Sequence, residues 1–182
     1  RAQLHAATAP HASDGEPVYD GRCRHLSAET VAEQMKSRTP ALRLRVPDET
    51  VSFSDGHYGL CRQHLAAECG DIIVRRADGV FAYQLAVVAD DAAMGVTQVV
   101  RGRDLLLSTP RQLYLFRLLG APPPSYFHLP LLLTSDGRRL SKRDRDLDLD
   151  ALRTRGYGAE DIVGRLAYTA GLLSQPQAMS LR

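Results

Sequence analysis

The sequence predicts an α/β fold built on a parallel sheet. Three observations carry that expectation. Strand-like and helix-like segments alternate from Ile72 to Leu133, Gly95 and Gly120 each close a helical run, and Val96–Val100 and His128–Leu133 are short apolar runs suited to burial. A chain of 182 residues holds about one domain.

Residues 1–70 are polar and irregular, with helices expected at Leu26–Arg38, behind Ser27 as a cap, and at Gly59–Glu68. Ile72-Ile73-Val74 begins the informative stretch as a strand. Asp78-Gly79 is a strong turn signal, and Val80-Phe81-Ala82-Tyr83 is the expected partner strand. Gln84–Met94 carries helix formers up to Gly95, and Val96–Val100 alternates as a strand. Thr109 as N-cap, Pro110 at the first helical position and Gln112 two residues later predict a capping box. That helix stops at Gly120, before Pro122-Pro123-Pro124. His128–Leu133 is the last expected strand, and Ser135-Asp136-Gly137 turns the chain into a basic segment. Two short helices, Leu147–Arg155 and Ala159–Leu172, flank Gly156-Tyr157-Gly158. Three zones follow: 1–70, 71–145 and 146–182.

Composition narrows the function classes. With 44% hydrophobic and 24% charged residues the chain is globular, not disordered. It has no Trp and 6% aromatics, so a core must rest on Leu, Val, Ile and Ala. A net charge of +2 argues against a strongly basic nucleic-acid module and leaves room for a local basic patch. The longest apolar runs, LAVV at 85–88 and LPLLL at 129–133, fall far short of the roughly 20 residues that span a bilayer. Three cysteines, an odd number, suit a reducing cytosol better than a disulfide framework. The first residue is Arg1, with no initiator Met and no signal-like apolar core, so the sequence reads as if entered mid-protein.

Several groups could carry chemistry. Arg138-Arg139-Leu140-Ser141-Lys142-Arg143 places four cations and a hydroxyl after a turn, which suits polyphosphate binding as well as a solvated basic loop. Arg101 ends a strand, where ligands of open α/β sheets collect, and a guanidinium there can clamp a carboxylate; a snorkelling surface Arg is the alternative. Tyr83, at another expected strand end, could add a hydroxyl to the same pocket or belong to the core. Asp90-Asp91 could hold a ribose or a metal, or lie on the polar face of a helix. His57, Cys61, His64 and Cys69 could place some metal ligands on one helical face; with no C-x-x-C pair, a chance surface cluster is the competing reading.

From about Gly70 to Arg143 these features come in a specific order. GDIIVRRADGVFAYQLAVVADDAAMGVTQVVRGRDLLLSTPRQLYLFRLLG, then YFHLPLLL, then DGRRLSKRD, resembles the catalytic core of the class I glutamyl-tRNA synthetase family. The resemblance implies a Rossmann-like catalytic domain, of which 71–145 would be the second half. An inserted, partly helical zinc-type and acceptor-binding subdomain (1–70) would precede it, and a short helical tail (146–182) would follow. RLSKR at 139–143 is similar to the family's KMSKS-type loop. That similarity makes Lys142 the residue stabilising the adenylate-forming transition state, with Arg139, Ser141, Lys142 and Arg143 binding ATP accompanied by Mg²⁺.

Within the family, Leu105 after Arg101-Gly102-Arg103-Asp104, and FAYQLAVVADD with Tyr83, resemble the glutamyl-Q tRNA(Asp) synthetases, a shortened branch lacking anticodon-binding domains. On that resemblance Tyr83 and Arg101 bind L-glutamate. Tyr19 and Cys23, in VYDGRC, match the Y-x-x-x-C half of a zinc site whose C-x-C half would lie before Arg1, as would the HIGH-type ATP motif. The implied reaction is ATP-dependent activation of L-glutamate and its transfer to the queuosine base of tRNA(Asp), by a cytoplasmic monomer with no membrane partner. The alternatives are a truncated translational glutamyl-tRNA synthetase acting on tRNA(Glu), and a non-catalytic tRNA- or protein-binding remnant.

Overall fold

Alternating polar and apolar side chains in Thr50-Val51-Ser52-Phe53-Ser54-Asp55 set up a strand, β2 (Thr50–Asp55), that turns back at once into β3 (Gly59–His64). The two pair antiparallel, from Thr50 opposite His64 to Asp55 opposite Gly59. Asp55 Oδ1 accepts from the backbone N–H groups of His57 and Tyr58 and so shapes the turn. Gly59–Glu68 was expected to be helical. The hairpin overrides it: Gly59–His64 is a strand, and only Leu65–Cys69 forms a single wide π-helical turn.

The computed structural model describes residues 18–134, 136–138, 140 and 148–180, which fall into two compact units, residues 1–128 and 129–182. In the first unit α1 (Ala28–Ser37) starts where expected, with Ser27 Oγ accepting from Thr30 N–H at 3.2 Å. Strands β1 (Leu42–Leu44) and β4 (Ile72–Arg75) pair antiparallel as a two-stranded sheet. After the Asp78-Gly79 turn, Phe81 bridges Arg75, but no full partner strand follows. Ala82 is already the N-cap of α2 (Tyr83–Met94), so Tyr83 opens a helix instead of ending a strand.

Helix α2 stops at Gly95 (φ 66°) and α3 (Thr109–Leu119) at Gly120 (φ 66°), in the left-handed region that glycine enters without steric cost. At the first of these stops the N–H of Val96 bonds Asp91 O, so Val96 belongs to the helix end. The following strand, β5, therefore runs Gln98–Gly102, two residues later than expected, and Val100 is exposed. A 3₁₀ segment, Arg103–Ser108, leads straight into α3. Ser108 and Thr109 consequently have helical dihedrals, and the expected Thr109–Gln112 capping box does not form; both side chains turn inward to tertiary partners. The last strand, β6, is Ser125–Leu129, not His128–Leu133; Pro130, with no N–H, cannot continue the ladder.

A four-stranded sheet results, in the order β3-β2-β6-β5. Strands β2 and β6 run parallel, meeting at Asp55 and Tyr126. The sheet is mixed where a purely parallel one was expected, because the β2–β3 hairpin is antiparallel. Among the described residues two small clusters of buried side chains form: Val46, Leu65 and Ile72, and Val88, Leu115 and Phe116. Leu44 packs against both. As composition required, these are almost entirely aliphatic.

In the second unit, the N–H of Gly137 bonds Thr134 O at the expected turn, and Leu140 N–H bonds Leu132 O. Helices α4 (Leu149–Thr154) and α5 (Ala159–Thr169) lie within the expected tail helices. In α5, Gly164 sits so close to the chain at Gln177 that no Cβ would fit between them.

Candidate functional site

Arg101 lies near the end of β5 and points into the protein. Its Nε–H donates to His128 Nε2 (3.0 Å), and its Nη2 donates to Thr109 Oγ1 (2.8 Å) and Leu105 O (3.3 Å). None of these bonds uses Nη1. The guanidinium also lies 5.1 Å from the centroid of the Tyr126 ring, within cation–π range. Burial pushes its pKa down, while the carboxylates of Asp91 and Asp104 act against that shift.

Behind Arg101 stands a pair with no solvent exposure of either side chain: His128 Nδ1 and Asp55 Oδ2 are 2.5 Å apart. The parallel pairing of β2 and β6 creates this contact, since Asp55 ends one strand and His128 sits two residues beyond Tyr126 on the other. Burial would push the Asp55 carboxyl up. Hydrogen bonds from His128, Tyr58 and His57 outweigh it and hold the group at about 2. Burial, with the charge of Arg101, pushes the His128 imidazole down even though the Asp55 bond opposes it. Both effects keep Asp55 ionised and His128 neutral near pH 7. Burial also pushes the Tyr126 phenol up to about 12, so it stays protonated.

A second buried chain runs beside the first: Gln112 Nε2 donates to Gln84 Oε1 (2.8 Å), and Gln84 Nε2 to Ser108 Oγ (3.2 Å). It ties α2 to α3 next to the N-terminal turn of α2, where Tyr83 sits 41% exposed. Of the two residues singled out from the sequence, Arg101 is held by His128 and Thr109, while Tyr83 makes no hydrogen bond to it among the described residues. Asp55, His128 and Thr109 were not singled out. No spacing signal connects positions brought together by strand pairing.

The basic loop residues Arg139, Ser141, Lys142 and Arg143 lie outside the described residues. Tyr19 and Cys23 are adjacent: Cys23 N–H donates to Tyr19 Oη at 2.8 Å, and Arg43 stacks on the Tyr19 ring at 4.1 Å. A structural zinc takes four ligands, and among the described residues no group of three or more His, Cys, Asp or Glu gathers around a common point. These two residues therefore do not constitute a zinc site by themselves. His57, Cys61, His64 and Cys69 do not converge either. His64 Nδ1 accepts from Ala67 N–H, and the helix that would have aligned the four is mostly strand. Asp90 is exposed on α2, while the Asp91 carbonyl takes part in closing that helix. No helix among the described residues is long and apolar enough to cross a membrane.

Comparison with known proteins follows the same lines. Residues 3–171 match the family model described as tRNA synthetases class I (E and Q), catalytic domain. The chain is 54% identical over 169 residues to the glutamyl-Q tRNA(Asp) synthetase of Nitratidesulfovibrio vulgaris, covering 92% of this chain and 52% of that protein. It is 52% identical over 180 residues to the protein of the same name from Symbiobacterium thermophilum, covering 97% and 55%. The chain thus spans about half the length of the curated relatives it matches. Among solved structures, a glutamate tRNA ligase from Elizabethkingia meningosepticum, in complex with its amino acid, aligns over 82% of this chain and 35% of that one. Its TM-score is 0.65 at 27% identity. The glutamate-tRNA synthetase of Elizabethkingia anophelis aligns with a TM-score of 0.66 at 26% identity, covering 82% and 35%. A family match over most of the chain, together with the α/β sheet that carries Arg101, shows that this chain belongs to the class I tRNA synthetases of the E and Q type, within their catalytic domain.

Proposed function

We propose that the whole protein activates L-glutamate with ATP and transfers the glutamyl group to the queuosine base of tRNA(Asp). The observation that carries this reading is Arg101: a half-buried, oriented guanidinium near a strand end, whose Nη1 makes none of its hydrogen bonds to the described residues. Such a group binds a carboxylate tightly because its charge is partly desolvated and its geometry set in advance. Tyr83 adds a hydroxyl at the start of α2. The direction of transfer is supported by the relatives' shared name at 54% and 52% identity.

In the proposed first step a glutamate carboxylate oxygen attacks the α-phosphorus of ATP. A P–O bond forms, the bond to the β-phosphate oxygen breaks, and pyrophosphate leaves with the charge. In the second step the acyl carbon passes to the queuosine base and AMP is released. Charge develops on phosphate oxygens, so the protein's task is electrostatic. Lys142 is the proposed catalytic group, with Arg139, Ser141 and Arg143 binding ATP beside it. Mg²⁺ accompanying ATP would neutralise phosphate charge. Tyr19 and Cys23 are proposed as half of a four-ligand zinc site in the whole protein, a structural element on which none of the glutamate chemistry depends. The setting is cytoplasmic.

The test is glutamate-dependent ATP–pyrophosphate exchange, followed by charging of queuosine-containing tRNA(Asp) against tRNA(Glu). Lys142→Ala is expected to slow exchange by about a hundredfold or more, as loss of a transition-state charge partner does. Unchanged exchange removes Lys142 from the mechanism. Glutamate esterified to the 3′ end of tRNA(Glu) would show a translational synthetase instead. No exchange by the wild-type whole protein would show a binding remnant.

A further inference from the structure

We propose that His128, anchored by Asp55, is a positioning residue that sets the orientation of the glutamate-binding guanidinium of Arg101. The proposal rests on the reading of Arg101 given above and deepens it. Every atom of the relay is in place. Asp55 Oδ1 accepts three backbone N–H bonds, from His57, Tyr58 and His128, which fixes the carboxylate. Its other oxygen faces His128 Nδ1 at 2.5 Å and, being an acceptor only, requires a proton on Nδ1. The ring is buried and neutral, so Nε2 carries a lone pair, and the Nε–H of Arg101 donates to it at 3.0 Å. The opposite tautomer would set two donors face to face.

Arg101 has reason to need such a hold. Its charge is partly withdrawn from solvent, and any rotamer that leaves His128 and Thr109 gives up two hydrogen bonds of a charged group. Thr109 supplies the second hold. It is fully buried, and its Oγ1 accepts from Arg101 Nη2 at 2.8 Å. With Nε and Nη2 both held, the plane of the guanidinium is defined and Nη1 is aimed in one direction. Preorganisation of this kind acts on ligand affinity, because the cost of ordering the side chain has already been met on folding.

The two ring nitrogens can be tested separately in the whole protein. In His128→Asn the amide overlays Nδ1, keeping a partner for Asp55 and removing the acceptor for Arg101. In His128→Gln it overlays Nε2, supplying an acceptor to Arg101 and losing the anchor. Glutamate affinity is read by calorimetry, and KM for glutamate and for ATP by pyrophosphate exchange. His128→Asn is expected to weaken glutamate about tenfold or more, the loss of one hydrogen bond to a charged group, with KM for ATP changed less than about twofold. His128→Gln is expected to recover at least about fivefold of that loss. Equal losses in the two variants, or none in His128→Asn, would overturn the relay. Should the His128 variants fail to melt cooperatively, Thr109 decides: Thr109→Val is expected to weaken glutamate binding about threefold or more, and Thr109→Ser to restore it. No effect of Thr109→Val would then count against the proposal. Arg101→Ala separates the two layers of the argument. If it leaves glutamate affinity unchanged, the assignment of Arg101 fails; if it weakens binding while His128→Asn does not, only the relay fails.

Discussion

Replacing Asp55 by Asn measures the worth of one buried carboxylate. The residue is 4% exposed and accepts from three backbone N–H groups and from the His128 ring. Burial raises its pKa, but the hydrogen bonds, that of His128 foremost, bring it to about 2 from an ordinary value of 3.8. A drop of that size corresponds to about 2 kcal/mol of folding stability. Because the folded-state value lies below the unfolded one, this stability is fully present above roughly pH 4 and is lost as pH falls through about 2. Asn keeps an acceptor for the backbone N–H groups but turns an NH₂ toward His128. Asp55→Asn should therefore cost about 2 kcal/mol near pH 7, and the gap from the wild type should narrow between pH 4 and pH 2. Urea unfolding of the whole protein, followed by far-ultraviolet circular dichroism across that range, reads both quantities. A gap that does not change with pH, or no gap at pH 7, would refute the account of Asp55 as a carboxylate held by its hydrogen bonds.

Other outcomes follow from the same kind of reasoning. Arg24 holds the buried Asp71 carboxylate through two bonds, at 2.6 and 2.7 Å, and Arg24→Ala should lower stability by leaving that charge without its main partner; equilibrium unfolding at pH 7 measures it. In Gly164→Ala a Cβ would come 1.7 Å from Gln177 O. It should release the bond from Met179 N–H to Glu160 O and expose that segment to limited proteolysis at a stability cost of about 1–3 kcal/mol. His128 has a folded-state pKa below its ordinary value, so its contribution is complete above about pH 6.5 and declines as the medium is acidified. Wild-type stability should already begin to fall as pH drops below about 6.5, and His128→Gln should show no such fall.

Local signals were enough for elements that local physics governs. Ser27 caps α1 through its own hydroxyl, Gly95 and Gly120 end helices through their own freedom at positive φ, and the aliphatic composition dictated the kind of core. Arg101 likewise stands near the end of a strand, as its place in the sequence suggests, whereas Tyr83 opens α2 and ends no strand. Tertiary structure decided the rest. Gly59–His64 carries side chains compatible with a helix, and became a strand because Thr50–Asp55 offered six paired positions and Asp55 closed the turn. Thr109 and Gln112 have the chemistry of a capping box, but Arg101 on β5 and the buried Gln84 on α2 claimed their side chains. The Asp55–His128–Arg101 relay joins residues 73 and 27 positions apart. No periodicity spans such distances; only the parallel registration of β2 and β6, with Arg101 placed beside them on β5, makes three isolated polar residues into one device.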